Sequence, residues 1–281
     1  MQLIHTAAAL RTALAGETRT ALVPTMGNLH AGHVSLVELA KRHGSPVVAS
    51  IFVNPLQFGA GEDFERYPRT LAADCEKLAA AGCDMVFAPD IAEMYPVPQT
   101  FTVQVADSLA NDLCGAFRPG HFNGVATVVL KLFNLAQPRI AVFGKKDFQQ
   151  LLVIRELVRQ FNLPTEILAG DTLREVDGLA MSSRNAYLGA AERQQAAALH
   201  GALADLAARL HAGAHDFDAL AATAARRLEM AGWNVDYIAL RDAASLRPVD
   251  AATRHAVALG AARLGKTRLI DNIEIALGNP P

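Results

Sequence analysis

Cysteine is scarce in this chain: Cys75, Cys83 and Cys114 are the whole set, and no two form a CxxC pair. An odd, scattered trio excludes a disulfide framework and offers no zinc-ligand spacing, so all three are expected as small buried hydrophobes. There is no excess charge of either sign. The formal net charge is -2, which gives no electrostatic case for nucleic acid or an anionic membrane as partner. No window approaches the roughly 20 apolar residues of a membrane span. The opening Met1-Gln2-Leu3-Ile4-His5 lacks the basic and apolar segments of a secretory signal, and a cytoplasmic protein is expected. Two phosphate motifs are missing as well. Without GxxxxGK[ST] there is no P-loop phosphoryl transfer, and without a GxGxxG opening a helix a nicotinamide or flavin dehydrogenase is disfavoured.

What is present points to a globular protein, for 51% of the 281 residues are hydrophobic and 19% charged, and small ligands are the default partners. Strand-like runs at 20–24, 47–53, 85–88, 140–143 and 166–169 alternate with stretches of helical period around 34–40, 71–79 and 128–135. Such alternation predicts an α/β fold, a Rossmann-like parallel sheet with helical crossovers. Composition shifts near Ala186. The spacing predicts a long Ala- and Leu-rich helix over 190–210, a second over 217–230, and strands at 235–240, 255–259 and 267–270. Two domains are therefore expected: 1–185, the sheet domain, and 186–281, a smaller α+β domain.

Polar residues gather after the predicted strands, the edge where open α/β sheets bind ligands. The first group is Pro24-Thr25-Met26-Gly27-Asn28-Leu29-His30-Ala31-Gly32-His33, where a strand meets a helix. Its glycines allow close backbone approach, and a helix N-terminus presents N–H groups and a positive dipole end to phosphate. His30 and His33 can face the same way, but with no HExxH carboxylate and no third ligand nearby they do not read as a metal site, and no protein-held metal is expected. Phe143-Gly144-Lys145-Lys146-Asp147 repeats the order of strand, glycine and polar cluster. An isolated Lys-Lys-Asp is ordinarily a solvated turn; its place after a strand argues for a second phosphate or ribose contact. A third group, Asp177 to Asn185, holds Ser182-Ser183-Arg184, able to donate several charge-assisted hydrogen bonds to a polyphosphate. A fourth, Arg118 to Gly124, is a turn with a possible anion contact through Arg118 and His121. The neutral amides Asn54, Gln57 and Gln150 suit a ligand bearing hydroxyls and a carboxylate.

The turn His30-Ala31-Gly32-His33, with a late Ser-Ser-Arg loop, resembles the HxGH nucleotidyltransferase superfamily that includes the class I aminoacyl-tRNA synthetases. Within it, PTMGNLHAGH, SIFVNPLQF (50–58), RYPRT (66–70), RPGHFNGV (118–125), FGKKDFQQ, DGLAMSSRN and RLIDN (268–272) occur in order over nearly the whole chain and resemble the pantothenate synthetase, or pantoate–β-alanine ligase, family. One departure stands at Lys145, where that family commonly has an acidic residue. A nucleotidyltransferase with a phosphate nucleophile would ask for more cations than Gln57 and Gln150 offer, and a nucleotide sensor with a degenerate site would not keep all three phosphate clusters.

The resemblance implies ATP, pantoate and β-alanine as substrates, with Mg²⁺ held mainly through the ATP phosphates. Pantoate carboxylate attacks the α-phosphorus to give pantoyl adenylate and pyrophosphate; β-alanine then displaces AMP to give pantothenate. By motif match His30 and His33 face the α-phosphate, with His33 the better proton donor, and Lys146, Ser182, Ser183 and Arg184 hold the phosphates. Asp147 accepts from the ribose hydroxyls. Met26, Gly27, Asn28, Leu29, Ala31, Gly32, Gly144, Lys145, Leu173 and Met181 complete the ATP contacts. Gln57, Gln150, Met26, Asn54 and Arg118 fall to pantoate or β-alanine. The resemblance also implies a homodimer. Because an acyl adenylate hydrolyses in water, the site is expected to close during turnover, with the domain from 186 onward as its lid.

Overall fold

A computed structural model describes residues 1–250 and 252–277. Strands β1 (Gln2–Ile4), β2 (Ala21–Thr25), β3 (Val47–Ile51), β4 (Met85–Phe87), β5 (Ile140–Gly144) and β6 (Glu166–Gly170) form one sheet in the order β1-β4-β3-β2-β5-β6. Every pairing in it is parallel. The chain forms two compact units: Met1–Lys145 with Gln150–Asp171, and Lys146–Gln149 with Thr172–Pro281. The expected division at 186 falls inside the second of these.

Side-chain alternation along the strands builds the two faces of the sheet. Leu22, Val48, Phe87, Ala141 and Phe143 belong to one core with Leu10, Val125, Val129, Leu132, Leu151 and Ile154. Their neighbours Ala21, Val23, Val47, Ala49, Val86, Ile140 and Val142 belong to a second core with Leu36, Val37, Ala40 and Leu78. A strand buried on both faces reads as a nearly continuous apolar run, which is how these appear in the sequence. Helices Ala31–His43 and Leu71–Ala80 thus cover one face, and Ala7–Ala13, His121–Ala136 and Phe148–Gln160 the other. Of the cysteines only Cys83 is fully buried, while Cys75 and Cys114 are half-buried. The first strand carried no readable signal, being three residues long at the sheet edge with Leu3 exposed.

Order along the sheet reverses between β2 and β5: from β2 the chain moves outward through β3 and β4, and from β5 outward through β6. At such a switch point the connections leave in opposite directions, so a crevice opens beyond the carboxyl ends of the two strands. Met26 follows β2, and Lys145 follows β5.

In the second unit β7 (Asn234–Asp242), β8 (His255–Leu264) and β9 (Thr267–Ala276) form an antiparallel sheet in that order. Helix Ala198–His211 places Leu199, Ala202, Leu203, Leu206 and Leu210 toward it at helical spacing. Gly260 of β8 admits this helix closely, since a Cβ there would stand 2.9 Å from Leu199 and from Ile238. The single helix expected over 190–210 is two, Ala190–Gln195 and Ala198–His211. They are separated where Ala196 is wholly buried and its N–H bonds back only three residues, to Arg193, at 3.4 Å. Helical periodicity is blind to such a break, because alanine suits both sides of it.

Candidate active site

The HxGH segment is clamped before its helix begins. Thr25 Oγ1 donates to the Ser50 carbonyl at 2.7 Å and accepts the Gly27 N–H at 3.2 Å. Gly27 and Asn28 both adopt left-handed backbone conformations, with φ of +82° and 51°. Glycine and asparagine are the residues that tolerate them. A Cβ on Gly27 would also approach Ile51 and the Asp74 carboxylate to 3.1 Å. Asp74, wholly buried on helix Leu71–Ala80, accepts the backbone N–H of Asn28 and of Leu29 at 2.8 Å each and the Thr70 hydroxyl at 3.0 Å. Lys77 Nζ caps the Leu29 carbonyl at 2.6 Å.

His30 is the N-cap of helix Ala31–His43, and His33 its third residue. His30 Nδ1 accepts the Gly32 N–H at 3.1 Å, while His33 Nδ1 accepts the His30 N–H at 3.3 Å. In neutral imidazole one nitrogen accepts and the other donates. With both Nδ1 atoms accepting from backbone, the proton of each neutral ring sits on Nε2. The two rings lie 4.1 Å apart, tilted by 45°. Two N–H donors thus accompany the positive end of a helix, an arrangement that stabilises developing negative charge.

Beyond β3, Asn54 and Gln57 are buried at either end of a short 3-10 turn, Pro55–Gln57. Asn54 Nδ2 donates to Gln57 Oε1 and to the Gly124 carbonyl, both at 3.1 Å, and Asn54 Oδ1 accepts the Tyr95 hydroxyl at 2.7 Å. Burial pushes the Tyr95 phenol well above its ordinary pKa, so it stays a donor. Gln57 Nε2 reaches Met26 Sδ at 3.1 Å, which brings two expected substrate contacts together. The turn can lie this close to helix His121–Ala136 because residue 124 is glycine: a Cβ there would stand 2.1 Å from the Leu56 carbonyl oxygen. Gln150 is the third residue of helix Phe148–Gln160 and half-buried.

Arg118 is engaged mainly with protein. Its Nε and Nη2 donate to the two Glu62 carboxylate oxygens at 2.7 Å, its Nη2 to the Gln57 carbonyl at 3.3 Å, and its Nη1 lies 3.0 Å from His121 Nε2. His121 Nδ1 donates to the same Gln57 carbonyl at 2.8 Å, leaving Nε2 to accept from Arg118. Burial opposes the Glu62 charge, but the Arg118 hydrogen bonds and charge prevail and hold its pKa below the usual range. Lys145 similarly pairs with Asp171 at 2.9 Å.

The second unit carries the other phosphate candidates. Lys146 stands just beyond the end of β5. Burial pushes its ammonium pKa down; the Asp147 carboxylate opposes that shift, Arg184 adds to it, and Asp271 again opposes it. Ser182 caps the 3-10 turn Ser183–Tyr187, its Oγ accepting the Arg184 N–H at 3.2 Å. Leu173 and Met181 are joined across a hairpin by a backbone hydrogen bond of 3.0 Å. Among the described residues no three His, Cys, Asp or Glu side chains gather as a metal site, and no helix is long and apolar enough to cross a membrane.

Local sequence assigns no role to Asp74, Tyr95, Glu62, Asp271 or Asn272. Asp74 had a signal: it lies three residues after Leu71 and four before Leu78, a lone charge on an apolar stripe. Glu62 had none, since its partner stands 56 residues away.

The family model described as Pantoate-beta-alanine ligase matches residues 2–274. Pantothenate synthetase of Thiobacillus denitrificans is 70% identical over 98% of this chain and 97% of that protein, and the Methylobacillus flagellatus enzyme of the same name is 56% identical over 99% of each. The crystal structure of Thermus thermophilus pantothenate synthetase superposes with a TM-score of 0.94 at 45% identity, covering 98% of this chain and all of that one. A Francisella tularensis pantoate-β-alanine ligase, solved in complex with β-γ ATP and β-alanine, covers 97% of each chain with a TM-score of 0.77 at 31% identity. Matched along nearly its whole length in sequence and in fold, this chain belongs to the pantoate-β-alanine ligase family and is a ligase.

Proposed function

We propose that this ligase joins pantoate to β-alanine through a pantoyl adenylate, with ATP entering as its magnesium complex. The observation that carries the reading is the paired Nδ1 acceptance of His30 and His33, which leaves both imidazoles as Nε2 donors at a helix N-terminus. Pantoate carboxylate, with a pKa near about 4, is already ionised at pH 7 and needs no general base. Its oxygen bonds to the α-phosphorus as the bond to pyrophosphate breaks. The demand is for donors aimed at the charge that develops, and His33 and His30 supply them.

Lys146, Ser182, Ser183 and Arg184 hold the remaining phosphates, and Asp147 accepts from the ribose. Met26, Gly27, Asn28, Leu29, Ala31, Gly32, Gly144, Lys145, Leu173 and Met181 frame the nucleotide. Gln57, Gln150, Asn54 and Met26 take pantoate, whose hydroxyls and carboxylate suit amides and whose methyl groups suit the thioether. Arg118 serves this pocket through the Gln57 carbonyl. In the second step the β-alanine amine attacks the acyl carbon and AMP departs. An acyl adenylate is lost to water unless sheltered, so the C-terminal unit is proposed as a closing lid. The need for ATP supports a cytoplasmic location, and family likeness supports a homodimer, which sedimentation equilibrium reads directly.

The decisive experiment omits one substrate at a time. ATP–pyrophosphate exchange that requires pantoate but not β-alanine, with AMP accumulating only when all three are present, is the expected result. Exchange that proceeds without pantoate, or AMP release indifferent to β-alanine, overturns the proposal.

A further inference from the structure

The motif Arg268-Leu269-Ile270-Asp271-Asn272 has no part in the reaction as set out so far, although two of its residues are among the few buried polar groups of the chain. It lies on β9. Asn272 Nδ2 donates to the Lys146 carbonyl at 2.8 Å, across 126 residues of sequence. One residue earlier, Asp271 receives both guanidinium arms of Arg174, at 2.7 and 2.9 Å. Arg174 in turn donates to the Gly178 carbonyl at 3.0 Å and to the Asn272 carbonyl at 3.2 Å. The Asn272 N–H closes the set on Asp271 Oδ1 at 2.8 Å. His200 Nδ1 stands 3.2 Å from Asp271 Oδ2, though without hydrogen-bond geometry.

Arg174 and Gly178 belong to the hairpin that delivers the serine loop. Arg174 bridges to Ala180, Glu175 N–H bonds to Leu179, and Met181 N–H bonds to Leu173; Ser182, Ser183 and Arg184 follow at once. Neighbouring residues of one strand therefore hold both phosphate elements: Asn272 the backbone of Lys146, and Asp271, through Arg174, the hairpin before Ser182.

We propose that Asp271 and Asn272 are positioning residues for adenylyl transfer, setting Lys146 and the Ser182-Ser183-Arg184 loop in register with each other. The inference rests on the reading of those groups as phosphate ligands. A buried strand is a rigid support, and bidentate pairing of Asp271 with Arg174 fixes orientation as well as distance. Displacement of a binding group by about 1 Å is enough to cost roughly a hundredfold in rate. The Asp271 carboxylate also acts on the Lys146 ammonium electrostatically, favouring its charged form.

Pantoate-dependent ATP–pyrophosphate exchange on full-length Asn272→Ala, Lys146→Ala and the double variant tests this. Asn272→Ala is expected to lower kcat/KM for ATP about 10- to 100-fold while the pantoate KM stays within about twofold. Placed on Lys146→Ala, the same change is expected to cost less than about twofold, because the group it positions is gone. Equal losses in both backgrounds, or equal changes in both KM values, make Asn272 merely structural and overturn the proposal. Full ATP use by Lys146→Ala overturns instead the phosphate reading on which it rests. Should Asn272→Ala not fold, Asn272→Ser takes its place in the cycle, with a side chain too short to reach the Lys146 carbonyl.

Discussion

Asp74 accepts the backbone N–H of Leu29 at 2.8 Å from 45 residues away in sequence, and its second oxygen takes the N–H of Asn28. A buried carboxylate on one helix thus sets the entry angle of the helix that carries both histidines.

Replacing Asp74 by alanine leaves two backbone donors without an acceptor in a buried setting. We expect a loss of about 2–4 kcal/mol in urea unfolding, with kcat falling further than the remaining folded fraction explains. The Asp74→Asn variant keeps a single acceptor oxygen and is expected to fall between wild type and Asp74→Ala. An alanine variant with wild-type unfolding and turnover would leave Asp74 with no part in shaping the turn.

His33→Ala should fold, since the contact it loses within the helix cap is worth about 1 kcal/mol. Pyrophosphate release in a rapid-quench single turnover should slow by about a hundredfold to a thousandfold. A near-normal burst would remove His33 from adenylyl transfer.

Gln57→Ala and Gln150→Ala are each expected to raise the pantoate KM at least about tenfold with little change for ATP. Initial rates over a grid of the two substrates separate the effects; an equal rise in both contradicts the assignment to pantoate.

Gly124→Ala forces a methyl group against the Leu56 carbonyl, so either the 3-10 turn or the helix must shift. We expect at least about 2 kcal/mol of destabilisation and weaker pantoate use, because Gln57 rides on that turn. A thermal melt and pantoate titration indistinguishable from wild type would show that the approach relaxes at no cost.

The Glu62–Arg118 pair makes a pH prediction. Arg118 holds the Glu62 carboxyl below its ordinary value of 4.5, against the opposing effect of burial. A folded pKa below the unfolded one contributes stability that is fully present above the unfolded value and fades as pH falls through the folded one. Wild type should therefore exceed Glu62→Gln by about 1 kcal/mol at pH 7, a difference that shrinks steadily below pH 4.5. Urea midpoints at pH 7 and in the acid range check it; a difference that grows in acid reverses the sign.

Much of the site was legible locally. Strand, glycine turn and helix follow one another at 21–43 and again at 140–160, and such short-range order places His30, His33 and Lys145 to Asp147 beyond strand ends. Gln57 and Asn54 were visible only as amides after a strand. Their bond to each other spans three residues, but that Gly124 takes the Asn54 amide and Arg118 the Gln57 carbonyl depends on contacts far apart in sequence.

The amino-acid sequence by itself determined the parallel α/β layering, the glycine-bearing turns beyond the strand ends and the family, because alternation, helical period and turn chemistry are local and the motifs occur in order. Tertiary structure alone decided which carboxylate each of these cations meets: Arg118 meets Glu62, Lys145 meets Asp171, and Arg174 meets Asp271. It alone also set the histidine tautomers and hung Lys146 from β9. The physical reason is that a hydrogen bond is satisfied by whichever partner the packed core brings within about 3 Å, and neither spacing nor composition carries that distance.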